Sequence, residues 1–251
     1  MIRQRLDVAL LERGLVESRA KAQSLIMARR VLVNGRHVDK AGALVGAEDA
    51  LAIEALEHPW VGRGGVKLAH ALEAFGIEVR GKVCADIGAS TGGFTDVLLK
   101  HGAAKVYAID VGYGQIDASL RNDPRVINRE KVNARYLTAA DFEEAIGFVS
   151  IDVSFISLKL ILPAVATFAR GDVVALIKPQ FEVGKRDVGK GGIVRDETKR
   201  AAAVESVVAF ARENGFDVKG VIESPVRGAE GNVEYLMHAN TPAAPPATTP
   251  E

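Results

Sequence analysis

Apolar positions fall into two stretches of different rhythm, on either side of Pro59 and the run Gly62-Arg63-Gly64-Gly65, which has the character of a linker. In the first stretch, Leu6, Leu10 and the residues around Leu11 trace a helical stripe that stops at Gly14. Ser18 can cap a second helix over Arg19–Arg29, with Ala22, Leu25 and Ile26 facing inward. Val31-Leu32-Val33, Asn34-Gly35 and Arg36-His37-Val38 spell a tight hairpin, because Asn-Gly suits a type I′ turn. Leu51-Ala52-Ile53 predicts one more short strand. This is a small α+β module.

Beyond the glycines, strands alternate with helices. The pattern predicts strand Lys82–Asp86, helix Phe94–His101, strand Lys105–Asp110, a helix near Gln115–Arg121 and strand Val126–Asn128. Strand Phe148–Val153, helix Ser157–Ala169, strand Val173–Lys178, helix Thr198–Asn214 and strands Val218–Glu223 and Val233–Ala239 follow. Such alternation implies an α/β fold, a parallel sheet with helices on both faces. The last two strands have no helix between them and should pair antiparallel. The expected organisation is a module over 1–58, a linker over 59–65 and a larger domain over 66–240. Residues 241–251 hold four of the nine prolines and are expected to be a disordered tail.

Composition narrows the classes. The 251 residues carry 32 Lys+Arg and 32 Asp+Glu, with 48% hydrophobic and 25% charged, so a disordered chain, a collagen-like repeat and a wholly basic coat protein are excluded. One cysteine, Cys84, excludes a disulfide framework. His37, His58, His70, His101 and His238 lack metal-ligand spacing, so no metal is expected. Seven charges within the first twenty residues leave no room for an export signal. The most apolar stretch, Phe148 to Ala169, is broken by Asp152, Lys159 and Pro163, so no membrane span is expected and the default location is the cytoplasm. Charge is uneven: Ser18–Val38 holds five cations and no acid, while Ala41–Glu57 holds four acids and no Lys or Arg. That asymmetry fits either two solvated faces or a nucleic-acid footprint.

The first strand of the large domain runs into Asp86-Ile-Gly88-Ala-Ser90-Thr-Gly92-Gly93-Phe94. Glycines there let the backbone approach a ligand at the carboxyl end of the strand. The spacing is neither the dinucleotide fingerprint nor a phosphate loop. Asp110 ends the next strand, where an acid can accept from both hydroxyls of a ribose. Asp86 suits a cationic group better than a phosphate. The combination fits S-adenosylmethionine; the bland alternative is an ordinary tight βα turn. Asp152, Lys178 and Glu234 also stand in or beside apolar runs, and Lys67 opens the helix after the glycines. Charges so placed are either a structural ion-pair cluster or functional.

Four segments carry a resemblance: Asp86-Ile-Gly-Ala-Ser-Thr-Gly-Gly-Phe-Thr-Asp96, Val106-Tyr-Ala-Ile-Asp-Val-Gly-Tyr-Gly-Gln115, Lys178-Pro-Gln-Phe-Glu182 and Lys190-Gly-Gly-Ile-Val-Arg-Asp196. With Arg5-Leu6-Asp7, Gly14, Ser18-Arg19, Ala22, Val33-Asn34-Gly35 and Val38, they make the chain similar to the TlyA family over nearly all but its proline-rich tail. Members join an RNA-binding domain of the ribosomal-protein S-four type to a methyltransferase domain of the FtsJ type. The resemblance implies a seven-stranded Rossmann-like sheet with an antiparallel last strand. It implies S-adenosylmethionine-dependent 2′-O-methylation of cytidine ribose in ribosomal RNA, with ribosomal RNA and ribosomal subunits as partners; no obligate protein partner is evident in the sequence. It also implies a catalytic tetrad, which falls on Lys67, Asp152, Lys178 and Glu234. Lys178 would be central, as an ammonium orienting the hydroxyl or as a base. Asp152 and Glu234 would hold it, and Lys67 would position the hydroxyl or a neighbouring phosphate. The expected cofactor contacts are Asp86, Gly88, Ser90, Gly92, Gly93, Phe94, Asp110 and Asp152. The expected RNA contacts are Arg5, Arg19, Lys21, Arg29 and Arg63. Gly62 is a departure, since similar proteins often carry serine there. A non-catalytic RNA-binding protein and a membrane-active haemolysin are the competing readings.

Overall fold

The computed structural model divides into two compact units, Met1–Pro59 and Trp60–Glu251. The structure describes residues 3–27, 30–54, 58–184, 187–189, 191–228 and 231–242. Arg29 and nearly all of the proline-rich tail lie outside the described residues.

The first unit runs β1 (Gln4–Arg5), α1 (Leu6–Glu12), α2 (Arg19–Met27), β2 (Val31–Val33), β3 (Arg36–Val38), β4 (Leu44–Val45) and β5 (Leu51–Ile53). Strand β2 is the centre of an antiparallel sheet ordered β3-β2-β5. Asn34 and Gly35 have φ of 51° and 77°, the left-handed pair that a type I′ turn requires. Leu6, Leu10, Ala22, Ile26, Val31 and Val45 form the core. Strands β1 and β4 pair with each other, and at two residues each they are too short to show alternation in the sequence.

The second unit runs α3 (Gly64–Phe75), β6 (Val83–Ile87), α4 (Gly93–Lys100), β7 (Lys105–Ile109), α5 (Ala118–Arg121), β8 (Val126–Arg129), β9 (Ile146–Ile151), α6 (Leu162–Phe168), β10 (Ala169–Ile177), α7 (Pro179–Glu182), α8 (Glu197–Glu213), β11 (Asp217–Glu223) and β12 (Tyr235–Asn240). The sheet order is β11-β12-β10-β9-β6-β7-β8. Strands β6 to β10 are parallel, and β12 runs antiparallel to both of its neighbours. The strands are apolar on both faces because each face is covered. Ile87, Ile109 and Ile151 pack with Leu162 and Val207 on one side, and Val106, Phe148 and Leu176 pack with Leu68 and Leu98 on the other. Cys84 is buried in the second cluster, and burial pushes its thiol up to about 12.

Three local readings change. The helix expected over Ser157–Ala169 is a 3₁₀ turn at Leu158–Leu160 followed by α6, and β10 already begins at Ala169. Pro163 is the reason: it has no N–H and its ring collides with a preceding helical turn, so it is tolerated only in a first turn. Helix α5 starts at Ala118 rather than Gln115 because the Asp117 carboxylate accepts the Ser119 N–H at 2.9 Å and caps it. The expected linker is folded from Trp60 onward. Gly64 and Gly65 belong to α3, and the Val61 N–H donates to Asp96 Oδ2 at 2.9 Å. A Cβ on Gly65 would come within 2.5 Å of the Trp60 side chain.

Candidate active site

The parallel strands end along one edge of the sheet. Asp110 directly follows β7, Asp152 follows β9 and Lys178 follows β10. Strand β12 runs the other way, so its first residues reach the same edge, and Glu234 stands immediately before it. Lys67, one turn into α3, completes the group. Lys67, Lys178 and Glu234 are 8%, 9% and 2% exposed, so each needs a partner.

The structure supplies those partners. Lys67 Nζ donates to Glu234 Oε2 at 2.5 Å across 167 residues of chain. Lys178 Nζ lies 2.6 Å from Asp152 Oδ1, off the line of a hydrogen bond, and donates to Ser154 Oγ at 2.8 Å. Lys67 and Asp152 line one cavity, so one member of each pair reaches it, while Lys178 and Glu234 stand behind its wall. The expectation that Glu234 holds Lys178 is corrected here: its carboxylate is taken by Lys67.

The glycine loop is built around close approach. Gly88 has φ +85°, and a Cβ there would collide with the Asp152 carbonyl. Gly92 has φ +94° and faces Leu120, again with no room for a Cβ. A Cβ on Gly93 would be 2.9 Å from the Gly65 nitrogen, so α3 and α4 meet through glycine. A Cβ on Gly62 would come 2.9 Å from Thr91 Oγ1, which favours glycine at that departing position. Ser90 takes φ +50°, and its N–H donates to Asp110 Oδ2 at 2.8 Å. The Gly112 N–H donates to Asp110 Oδ1 at 2.6 Å. Each oxygen of the carboxylate accepts one of these bonds, which leaves further lone pairs for a ligand.

Two cavities flank this loop and share Gly88, Ser90 and Asp152. The larger, about 320 Å³, has apolar walls that include Ile109, Val132 and Ala134, with Asp110 and Gln115 as polar groups. Apolar walls with a few placed polar groups suit a small organic ligand. The smaller, about 230 Å³, is polar and takes in Arg63, Lys67, Thr91, Gly93, Phe94 and Arg227. Asp86 belongs to neither. It is fully buried, and accepts from Thr95 Oγ1 at 2.7 Å and Ser150 Oγ at 3.0 Å. Burial pushes its carboxyl up to about 7. Asp86 therefore joins β6 to β9 and α4 beneath the loop, and the expectation of a direct ligand contact is corrected.

Residues 60–241 match the FtsJ-like methyltransferase family, and residues 4–51 match the S4 domain. A relative from Mycobacterium tuberculosis, the 16S/23S rRNA (cytidine-2′-O)-methyltransferase TlyA, is 49% identical over 242 residues, 95% of this chain and 90% of the relative. The chain is a TlyA-type member of the FtsJ-like methyltransferases. Hemolysin A of Brachyspira hyodysenteriae is 44% identical over 93% of this chain and 98% of its own length. A solved Streptococcus thermophilus protein with a hemolysin label superposes with a TM-score of 0.75 at 45% identity, covering 98% of this chain and 90% of that one. Among the described residues, no helix is long and apolar enough to cross a membrane, and no group of side chains is arranged to hold a metal ion.

In the S4 domain of this TlyA-type chain, two of the expected RNA contacts converge on buried Asp7. Arg5 donates to both of its oxygens at 3.0 and 3.1 Å, Arg19 Nε to Oδ2 at 2.8 Å, and Gln23 to the same oxygen at 2.8 Å. The Arg5 hydrogen bond, helped by Gln23 and Arg19, holds the Asp7 carboxyl well below the usual carboxylate range despite burial. Both arginines keep about half of their side-chain surface exposed, at 47% and 51%. Lys21 is exposed on the same helix as Arg19.

The sequence reading missed the loop after β9 and its brace. Phe155 stands at φ +63° and is 91% exposed, with its ring centroid 5.1 Å from Phe181. Glu182 accepts the Ser157 hydroxyl at 2.6 Å and the Leu158 N–H at 2.8 Å, and burial raises its carboxyl above the ordinary value. The Lys178–Ser154, Phe181–Phe155 and Glu182–Ser157 contacts thus lock the turn after β10 against the loop after β9. The motif Lys178-Pro-Gln-Phe-Glu182 was the available signal, since it places three of these groups within five residues.

Proposed function

We propose that this chain transfers a methyl group from S-adenosylmethionine to the 2′-oxygen of a cytidine ribose in ribosomal RNA, acting in the cytoplasm on ribosomal subunits. The observation that carries the reading is the pair of buried ion pairs, Lys67–Glu234 and Lys178–Asp152, each with one member on a cavity that borders a second, glycine-built one. The cofactor fits the residues present. Gly88 leaves the backbone cradle open, Asp110 is available for a ribose, and the loop lacks the spacing of a phosphate binder. Bound there, S-adenosylmethionine would supply a methyl group already activated by a sulfonium. The chain then has two tasks, to align the ribose hydroxyl and to take its proton. Lys178 Nζ, fixed by Asp152 and Ser154, orients the hydroxyl as an ammonium; once it has given a proton to solvent it can take up the proton of the hydroxyl as the oxygen–carbon bond forms and the carbon–sulfur bond breaks. Lys67, fixed by Glu234, sets the ribose from the other side. Exposed Phe155 offers a surface on which the target base can stack. In the S4 domain, Arg5 and Arg19, aimed by Asp7, engage RNA phosphates together with Lys21.

The test is transfer of labelled methyl from S-adenosylmethionine to intact ribosomes, separate subunits and naked RNA, with the modified position mapped by its resistance to alkaline cleavage. Lys178→Ala should keep its fold and cofactor affinity and lose transfer by at least about a hundredfold. Near-normal transfer by that variant would remove Lys178 from the chemistry. Leakage from liposomes without methyl transfer would favour the haemolysin reading instead.

A further inference from the structure

The tetrad is electrically balanced, with two lysines against two carboxylates. The cavity shared by Lys67 and Asp152 nevertheless carries two more cations, Arg63 at the foot of α3 and Arg227 in the loop before β12. Both are exposed at its rim. Among the described residues, neither guanidinium has an ion-pair or hydrogen-bond partner. Arg121, Arg125 and Arg200 of the same unit, by contrast, are each bonded to a carboxylate or a carbonyl. The loop that presents Arg227 is held firmly. Ser224 Oγ donates to the Val226 carbonyl at 2.7 Å, the Ser224 N–H to the Glu234 carbonyl at 2.9 Å, and the Gly228 N–H to the Asn232 carbonyl at 2.9 Å. Gly228 lies so close to the Glu234 carboxylate that a Cβ would collide with it. The backbone on either side of Arg227 is therefore tied to the segment that carries Glu234, and the uncompensated charge of the cavity points to an anion.

Building on the cofactor reading above, we propose that Arg227, assisted by Arg63, binds the carboxylate at the amino-acid end of the cofactor. With the nucleoside in the larger cavity, the rest of the cofactor must leave through the junction at Gly88, Ser90 and Asp152, and this opens into the smaller cavity. The amino-acid end carries one ammonium and one carboxylate. The smaller cavity offers a carboxylate, Asp152, at the junction and two guanidinium groups farther out. The charges match in order, and a guanidinium fork suits a carboxylate in two-point contact.

The experiment removes the charge from each side in turn. S-adenosylhomocysteine and its decarboxylated analogue are titrated calorimetrically into the full chain and into Arg227→Gln, without RNA. The wild-type chain should prefer the acid by about tenfold. In the variant that preference should shrink below about twofold, through weaker binding of the acid and unchanged binding of the analogue. An equal preference in both proteins overturns the proposal. Unchanged cofactor binding with a raised KM for RNA and a flatter salt dependence also overturns it, and assigns Arg227 to an RNA phosphate. Failure of the wild-type chain to bind either nucleoside would sink the cofactor reading itself, and is distinguishable from both.

Discussion

The Lys67–Glu234 pair allows stability and chemistry to be separated. It joins α3 to the start of β12, its nitrogen and oxygen are 2.5 Å apart, and its side chains are 10% and 2% exposed. Removing one partner leaves the other charge buried and unmatched, which typically costs about 3–5 kcal/mol, whereas replacing both with apolar groups of similar length is near neutral. Lys67→Met alone should therefore lower unfolding free energy by about 3–5 kcal/mol, and Glu234→Met alone by a similar amount. The double variant should return to within about 1 kcal/mol of wild type, a coupling of at least about 2 kcal/mol. Urea unfolding followed by fluorescence reads this, because the single tryptophan, Trp60, packs against α3 in the same unit. Methyl transfer should fail in all three variants. A stable double variant that still transfers methyl at a near-normal rate would make the pair purely structural. A Lys67→Met variant losing less than about 1 kcal/mol would show that the pair is not buried as described.

Three further outcomes are expected. Asp86 titrates near 7 in the folded chain and near 3.9 when unfolded, so the folded state binds the extra proton between these values. Its contribution should thus make stability fall as pH rises from about 4 to about 7, by roughly 4 kcal/mol in total. Asp86→Asn should flatten that part of the curve, and an identical slope in both proteins would contradict the assignment. Gly88→Ala should lose about 2–4 kcal/mol, since it adds a left-handed alanine and a collision with the Asp152 carbonyl; melting curves and S-adenosylhomocysteine titration would show both the instability and weakened binding, and a wild-type affinity would rule out the cradle. Neutralising Arg5, Arg19 and Lys21 together should reduce the slope of log affinity against log salt by about 2–3 for RNA, and an unchanged slope would make these cations merely solvated.

The glycine loop and three of the four tetrad residues were legible because charged or strained positions interrupt otherwise apolar strands, and local pattern exposes such interruptions. The partners were not legible. Lys67 and Glu234 meet across 167 residues, and only the insertion of β12 between β10 and β11 brings them together. Asp86 was misjudged for a similar reason. It precedes the glycine loop, yet its carboxylate points into Thr95 and Ser150, a direction that depends on strand register. Phe155 left no trace, since a left-handed phenylalanine is a conformation rather than a composition. The boundary errors trace to Pro163 and Asp117, whose local chemistry overrode the broader helical pattern.

The reversed strand β12 also imposes a schedule on the molecule. A nascent chain has already emitted the glycine loop, Asp152 and Lys178 when residue 234 is still unmade. Until then Lys67 lacks its counter-charge, and β10 and β11 lack the strand that pairs with both. The site is therefore complete only when β12 stands between β10 and β11. For an enzyme proposed to act on the RNA of the very machine that synthesises it, the four charges at the sheet edge can come together only after residue 234 has been made.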